Sequence, residues 1–325
     1  MPGTPTTPAT GAAPADTVDV VVIGGGAAGL NGALMLARSR RSVVVVDSGT
    51  PRNAPADGVH GLLALDGTPP AELLERGRAE VRRYGGTVRT GEVVKATPAD
   101  GGDLRFTVDL ADGDTLHARR LLVATGLRDV LPDVPGLARH WGHGVVHCPY
   151  CHGWEVRDEP IGIIAAGPAS VHQALLFRQL TDDLVYFARG TGLDDDARAR
   201  LVARGIRVVE PAVEEVVADD GGGIAGVRLA DGQVVARRVL AVATTMLPRT
   251  EGLEGLGLPV QDLPNGMGRH VVTGPAGTTE VPGVWVAGNV GDPSAQVGAS
   301  AAAGAMAGAH INADLVTADT EAALA

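Results

Sequence analysis

The chain has little of what several functional classes require. Positive charge is short: 27 Lys and Arg stand against 38 Asp and Glu, for a net charge of −11. That balance argues against nucleic acid or an anionic membrane as partner, since both are bound through basic patches. No stretch reaches the ~20 uninterrupted apolar residues of a membrane span. The late small-residue run over 297–309 is too short. Residues 1–17 (MPGTPTTPATGAAPADT) carry no Lys or Arg and no apolar core. They lack both parts of a secretory signal and are expected to form a disordered tail on a cytoplasmic protein. Aromatics make up 3% of the chain, and Lys95 is the only lysine. Arginine at nearly every basic position, with 46 glycines, fits a GC-rich coding bias. Glycine at that level equally suits tight turns and close approach of backbone to ligand.

Cysteine is scarce too. Cys148 and Cys151 are the only two, in the run His147-Cys148-Pro149-Tyr150-Cys151-His152-Gly153-Trp154-Glu155. One pair closing so short a loop adds little stability as a disulfide. A four-cysteine zinc site would need a second pair. Three readings of the C-x-x-C remain: a redox dithiol, a metal site completed by His147 and His152, or inert thiols. The segments around it bear on the choice.

What is present is a nucleotide-binding pattern. Residues 18–23 are a short β-branched apolar run, as in a buried parallel strand. They lead into Gly24-Gly25-Gly26-Ala27-Ala28-Gly29, an apolar-periodic helix over 30–38, and a second buried strand over 42–46 that ends in Asp47. Strand, G-x-G-x-x-G, helix, strand and acid form the dinucleotide fingerprint. Gly24 permits the tight turn, Gly26 lets a pyrophosphate approach the backbone, and Gly29 lets helix and strand pack. The helix N-terminus favours the anion. Asp47 can accept a bond from a ribose, and Ala27, Ala28 and Ser48 complete this candidate set.

Further on, 48–66 is expected to be an irregular loop and 69–84 a helix. Residues 88–96, 104–110 and 115–118 are expected as antiparallel strands with a hairpin at Asp112-Gly113. A buried strand over 119–124 precedes Thr125-Gly126. Near the end, a strand over 283–287 runs into Gly288-Asn289, and a small-residue helix starts around Ala295-Gln296-Val297. Between these halves lies a degenerate repeat. It has a strand over 160–164, the turn Ala165-Ala166-Gly167-Pro168-Ala169-Ser170, a helix to 180, strands over 184–187 and 206–210, a hairpin at Asp231-Gly232 and a strand over 239–244. The expected fold is α/β, with two Rossmann-like (three-layer ββα) domains. Residues 18–127 and 248–325 form one discontinuous domain, and 128–247 form the insert.

The fingerprint, Ala124-Thr125-Gly126, the C-x-x-C at the head of the insert and Ala287-Gly288-Asn289 together resemble the low-molecular-weight thioredoxin reductases, over 18 to about 315. The resemblance implies an FAD domain in two segments, an inserted NADPH-type domain carrying the C-x-x-C, and a homodimer. It places Ala124, Thr125, Gly126, Gly288, Asn289, Ala295, Gln296 and Val297 at the FAD. Gln296, Val297 and the N–H groups of the last helix would face the flavin N1/C2=O edge, where a helix N-terminus stabilises negative charge. Asn289 stands where many relatives have Asp, and an amide can still bond a ribitol or phosphate oxygen.

Two departures from that family stand out. In the insert, Ala165 replaces the first fingerprint glycine, Pro168 the usual acid, and the expected basic cluster is Ala188-Arg189-Gly190. A 2′-phosphate wants several positive donors, and Pro168 removes an N–H from the turn. The NADPH site is expected to be lost or weak unless other contacts serve it. The second departure is CPYCHGWE over 148–155. It resembles the thioredoxin reductase-like dithiol oxidases of the gliotoxin, holomycin and romidepsin pathways, the holomycin type most closely.

That resemblance implies an enzyme that holds FAD and does not use NADPH. It oxidises a small dithiol to a cyclic disulfide, gives the electrons to O2 as hydrogen peroxide, and serves biosynthesis and self-resistance. It makes Cys148 the exchanging sulfur and Cys151 the flavin-facing one, with no metal. His152, in place of the reductases' acid, is a candidate base for thiol protons, or a histidine that merely packs. Tyr150 could line the substrate pocket or pack, and Trp154 is expected in the core or at a hinge. An NADPH- or ferredoxin-dependent disulfide reductase and a flavin redox sensor are the alternatives.

Overall fold

A computed structural model describes residues 17–99, 103 and 105–325. The expected tail therefore lies outside the described residues except for Thr17. That residue opens the first strand, paired with His117, and is not part of the tail.

The first half of the chain builds β1 (Thr17–Ile23), α1 (Ala27–Arg38), β2 (Val43–Asp47), α2 (Pro70–Arg83), β3 (Thr87–Thr90), β4 (Val93–Pro98), β5 (Phe106–Leu110), β6 (Thr115–Val123) and β7 (Leu127–Val130). β1 and β2 are nearly unbroken Val/Ile because both faces of the sheet are covered. Helix α1 starts at Ala27, three residues before the expected 30, with Gly26 as its N-cap. Ala27, Ala28 and Gly29 are thus its first turn, whose N–H groups have no partner within the helix. The expected antiparallel strand over 88–96 is two strands: β3 joins β2 in parallel, and only β4 pairs antiparallel with β5. The expected strands over 115–118 and 119–124 are one. β6 pairs antiparallel with β5 through its first half and parallel with β1 along most of its length.

The insert follows with β8 (Val145–Val146), α3 (Pro149–His152), β9 (Ile161–Ile164), α4 (Ala169–Phe177), β10 (Leu184–Phe187), α5 (Asp195–Ala203), β11 (Arg207–Val209), the meander β12 (Val213–Ala218), β13 (Ile224–Leu229), β14 (Val234–Ala236), and β15 (Val239–Val242). Its parallel sheet runs β11-β10-β9-β15-β8. The chain returns through β16 (Thr245–Pro248), which pairs antiparallel with β7. It closes with β17 (Val260–Asp262), β18 (Arg269–Val271), β19 (Val284–Val286) and the long helix α6 (Val297–Leu324). β19 adds to the first sheet beside β6.

Apolar residues coat both faces of the first sheet. Val20, Val22 and Val45 face α1 and α6, while Val21, Val123 and Phe106 face the other side. A buried side chain of this size contributes about 1.5–3 kcal/mol. The glycine-rich sequence of α6 has a packing reason. A Cβ on Gly304 would collide with the Ala28 carbonyl oxygen, and one on Gly308 would lie 2.6 Å from that of Gly32. Small residues let α6 lie directly on α1, over the nucleotide turn. No described helix is long and apolar enough to cross a membrane.

Candidate active site

The site starts from the C-terminal ends of the first sheet, where such sheets place their ligands. The Gly24 N–H bonds the Val46 carbonyl at 2.8 Å, and Gly24 has φ +105°, which an L side chain rarely adopts. Gly29 is not in the cavity wall. A Cβ there would collide with the Gly24 carbonyl oxygen, so its absence sets the contact between helix and turn. Gly26 differs: a Cβ on it would meet nothing within 4 Å. That space belongs to a cavity of about 1030 Å³ whose wall includes Gly24, Gly26, Ala27 and Ala28. Asp47 and Ser48 lie along the same wall, with Asp47 accepting from Arg78 Nη2 at 3.1 Å. Ala124, Thr125 and Gly126, after β6, form another side.

Gly288, Asn289, Ala295, Gln296 and Val297, ahead of and at the start of α6, line the cavity too, with Gly288 packed against Ala28 of α1. Gln296 is the N-cap there and makes no side-chain capping bond. Asn289 also organises its own loop. Its Nδ2 donates to the carbonyls of Asp292 at 3.0 Å, Pro293 at 3.3 Å and Ala295 at 2.8 Å. Those donors fold the loop ahead of α6, and the residue stays in the cavity wall. An aspartate has no hydrogen to give those carbonyls. The cavity thus runs between the uncapped N-termini of α1 and α6, past an open cradle at Gly26. This arrangement fits a dinucleotide with an anionic centre.

The dithiol opens into the same cavity. Cys148 is the N-cap of α3 and its Sγ accepts the Cys151 N–H at 3.2 Å, with Pro149 pre-set for the first helical turn. The two cysteines form a disulfide with Cα atoms 5.3 Å apart. Both are half-buried, and both line the wall that carries Gly26. His152 lines it too, and its Nε2 is buried without a hydrogen-bond partner. Burial lowers the proton affinity of His152. Glu155 and Asp57 oppose that, His60 and His147 add to it, and the net pKa lies below the usual imidazole value. A neutral imidazole with a free ring nitrogen can take a thiol proton.

His147 has Nδ1 against the Val242 carbonyl at 3.0 Å, so that nitrogen carries the hydrogen. Burial holds its pKa below the usual value as well. Of the other nearby histidines, His140 is buried and His143 exposed, and neither is in the cavity wall. Tyr150 is 65% exposed and also lines the cavity, at its edge. Trp154 is not core: it is 65% exposed, with the Arg157 guanidinium 4.2 Å from its ring centroid. A cation on the ring face lets the indole stay in solvent. Among the described residues no group of three or more His, Cys, Asp or Glu could hold a metal ion.

The second glycine turn is closed on itself. The Ala166 N–H bonds Ser170 Oγ at 3.0 Å, and the Ser170 N–H bonds the Gly167 carbonyl at 3.0 Å. Arg189 donates Nη1 to the Ala165 carbonyl at 2.9 Å. A separate cleft of about 320 Å³ beside this turn holds Pro168, Asp194, Asp196 and Arg200, the last paired with Asp196 at 2.8 Å, and Arg189 is not in its wall.

Several site residues have no signature in the sequence. The loop over 48–66 wraps the insert. Arg52 makes two bonds of 2.7 Å to Asp129, and Thr244 Oγ1 donates to the same carboxylate at 2.6 Å. Burial raises the Asp129 pKa, but Arg52 and Thr244 outweigh it and hold the carboxyl below its usual range. His60, from the same loop, stands 3.4 Å from Glu155, just past the C-x-x-C helix.

A disulfide facing a dinucleotide cavity, on a chain with two parallel nucleotide-type sheets, defines a dinucleotide-dependent disulfide oxidoreductase. The chain belongs to the pyridine nucleotide-disulphide oxidoreductase family, whose pattern matches residues 18–309. In structure it is similar to HlmI, with 46% identity and a TM-score of 0.89 over 97% of this chain and 98% of that one. It is also similar to an oxidoreductase from Agrobacterium tumefaciens, with 35% identity and a TM-score of 0.85 over 93% and 99% of the two chains. In sequence it is 36% identical to thioredoxin reductase tcpT of Claviceps purpurea, over 92% of this chain and 95% of that protein. It is 31% identical to thioredoxin reductase sirT of Leptosphaeria maculans, over 93% and 95%. FAD is the cofactor, as in this family of flavoproteins.

Proposed function

We propose that the protein is an FAD-dependent dithiol oxidase that closes an intramolecular disulfide in a small natural-product dithiol, with O2 as electron acceptor. The observation that carries this is the shared cavity, in which the Cys148–Cys151 disulfide and the unpartnered His152 Nε2 stand with the Gly26 cradle. The second turn supports it, because a pyrophosphate there would find the Ala166 and Ser170 N–H groups already engaged and no N–H at Pro168.

In this reading His152 takes a proton from one substrate thiol. The thiolate attacks Cys148 Sγ, the Cys148–Cys151 bond breaks, and Cys151 leaves as thiolate. The second substrate thiolate then attacks the substrate sulfur held by Cys148. The cyclic disulfide forms, Cys148 is released, and the cysteine pair holds two electrons. Bound FAD supplies the two-electron acceptor for that pair and the route to O2. The balance is one dithiol plus one O2 giving one cyclic disulfide and one hydrogen peroxide.

The 148–155 run favours a dithiolopyrrolone-like ene-dithiol as substrate, with diketopiperazine dithiols next. The biological role would be antibiotic biosynthesis and self-resistance in the cytoplasm of a producer, and the assembly a homodimer. Anaerobic mixing of the holoprotein tests the electron donor. A reduced small dithiol should bleach the flavin absorbance and NADPH should not. Rapid bleaching by NADPH would make the protein a reductase. Dithiol-dependent oxygen uptake that survives Cys151→Ser would remove the cysteine pair from the route.

A further inference from the structure

Two residues beside the disulfide belong to no step above, yet they are placed together from distant parts of the chain. His60 comes from the loop between β2 and α2, and Glu155 lies three residues beyond His152. The His60 ring sits between two carboxylates, with Nδ1 3.5 Å from Asp66 Oδ2 and Nε2 3.4 Å from Glu155 Oε1. Asp66 is itself fixed, because its other oxygen accepts the Gly61 N–H at 2.8 Å. His60 lines the cavity that holds Cys148, Cys151 and His152. The Glu155 side chain is 39% exposed and stands outside the cavity wall, joined to it through His60.

We propose that His60 and Glu155 are a positioning pair for His152: by holding Glu155, His60 controls how much of that carboxylate acts on the imidazole that receives the thiol proton. The proposal rests on the dithiol-oxidase reading only for the use to which the proton is put. Closing a disulfide releases two thiol protons, so an imidazole that takes one must also give it up. A carboxylate fully devoted to His152 would trap the proton there. A carboxylate shared with a second imidazole leaves His152 neutral and ready for the next thiol, with a partly exposed acid as the exit. Each charged group around the ring has a sign that fits. Glu155 and Asp57 favour the imidazolium, while His60 and His147 oppose it. His147 is in turn faced by Arg52 and Asp129. His60 is the member of this set that touches Glu155 directly.

The pair makes two substitutions act in opposite directions, which a merely structural role would not do. Glu155→Gln keeps the size and removes the charge, so His152 should become harder to protonate. His60→Gln removes one opposing imidazole and frees Glu155, so His152 should become easier to protonate. The measurement is a titration of the oxidised holoprotein labelled with 13C in the ring of its nine histidines, with the His152 signal assigned by His152→Asn. The expected result is a His152 midpoint below wild type in E155Q and above it in H60Q. The acidic limb of kcat/KM for dithiol oxidation should follow the same order. His60→Asn repeats the second arm if the glutamine variant does not fold. A His152 midpoint that both variants leave in place, or that H60Q lowers, overturns the pair. If the order holds but the wild-type protein takes up no oxygen with any small dithiol, the proposed function falls and the pair stands.

Discussion

Replacing Gly26 with alanine should empty the protein of FAD and leave its fold intact, whereas alanine at Gly24 or Gly29 should damage the fold itself. The three glycines share one motif and face different things. Gly26 has φ −77° and ψ −172°, ordinary extended backbone for any residue, and its Cβ would meet no protein atom within 4 Å. Alanine there costs the apoprotein about 1 kcal/mol or less as a poorer N-cap. The methyl instead enters the space that suits a pyrophosphate. Losing two charge-assisted bonds to helix N–H groups costs about 3–6 kcal/mol, or roughly a hundred- to ten-thousand-fold in FAD affinity. At Gly24, with φ +105°, a Cβ would collide with the Ala124 carbonyl oxygen and lie 2.7 Å from its carbon. Overpacking at about 1–3 kcal/mol and left-handed strain at about 1–2 kcal/mol fall there on the apoprotein. At Gly29 the collision is with the Gly24 carbonyl oxygen and the overpacking cost applies alone. The assay is the FAD-to-protein absorbance ratio after purification, together with urea unfolding of the apoproteins. Wild-type FAD content in G26A, or a wild-type unfolding midpoint in apo-G29A, would refute the reasoning.

Asp129→Ala should destabilise the protein by about 1–3 kcal/mol, because it strands Arg52, whose side chain is 27% exposed and so only partly screened; urea unfolding reads this. Gly304→Leu should cost about 1–3 kcal/mol or more by forcing α6 off α1, and the thermal midpoint should drop accordingly. Stability should also fall on acidification. His147 and His152 are held below the usual imidazole value when folded, so their contribution is complete above about pH 6.5, the unfolded value. It is lost as pH falls toward the folded values, because the unfolded chain binds more protons. Denaturant midpoints at pH 7.5 and 5.5 check the sign, and a higher midpoint at pH 5.5 would contradict it.

The glycine turn, the strand before it and the acid after it were legible because local spacing alone dictates them. The disulfide pair was legible as a pair, and the eroded second turn as eroded. What the sequence hid was decided by partners far along the chain. Arg119 and Arg120 suggest a break between two strands, yet β6 runs straight through them. Arg119 is paired with Asp19 at 2.8 Å and with Asp319 at 2.5 Å, and Arg120 is paired with Asp314. Trp154 is apolar by composition and is expected in the core or at a hinge; it is exposed, with Arg157 on its ring face. Asn289 lines the cavity as expected of a cofactor residue, but nothing local shows that its amide hydrogens also fold the loop before α6. His60 lay in a stretch legible only as an irregular loop, since nothing local ties it to Glu155, far along the chain.

The most direct test of the central claim is one assay of the purified holoprotein with a reduced dithiolopyrrolone-type dithiol in air, reading cyclic disulfide, hydrogen peroxide and O2 uptake together. The account predicts all three in a one-to-one-to-one ratio, without NADPH, and their loss in Cys151→Ser. Cyclic disulfide that forms no faster than in buffer, or turnover that appears only when NADPH is added, would contradict it.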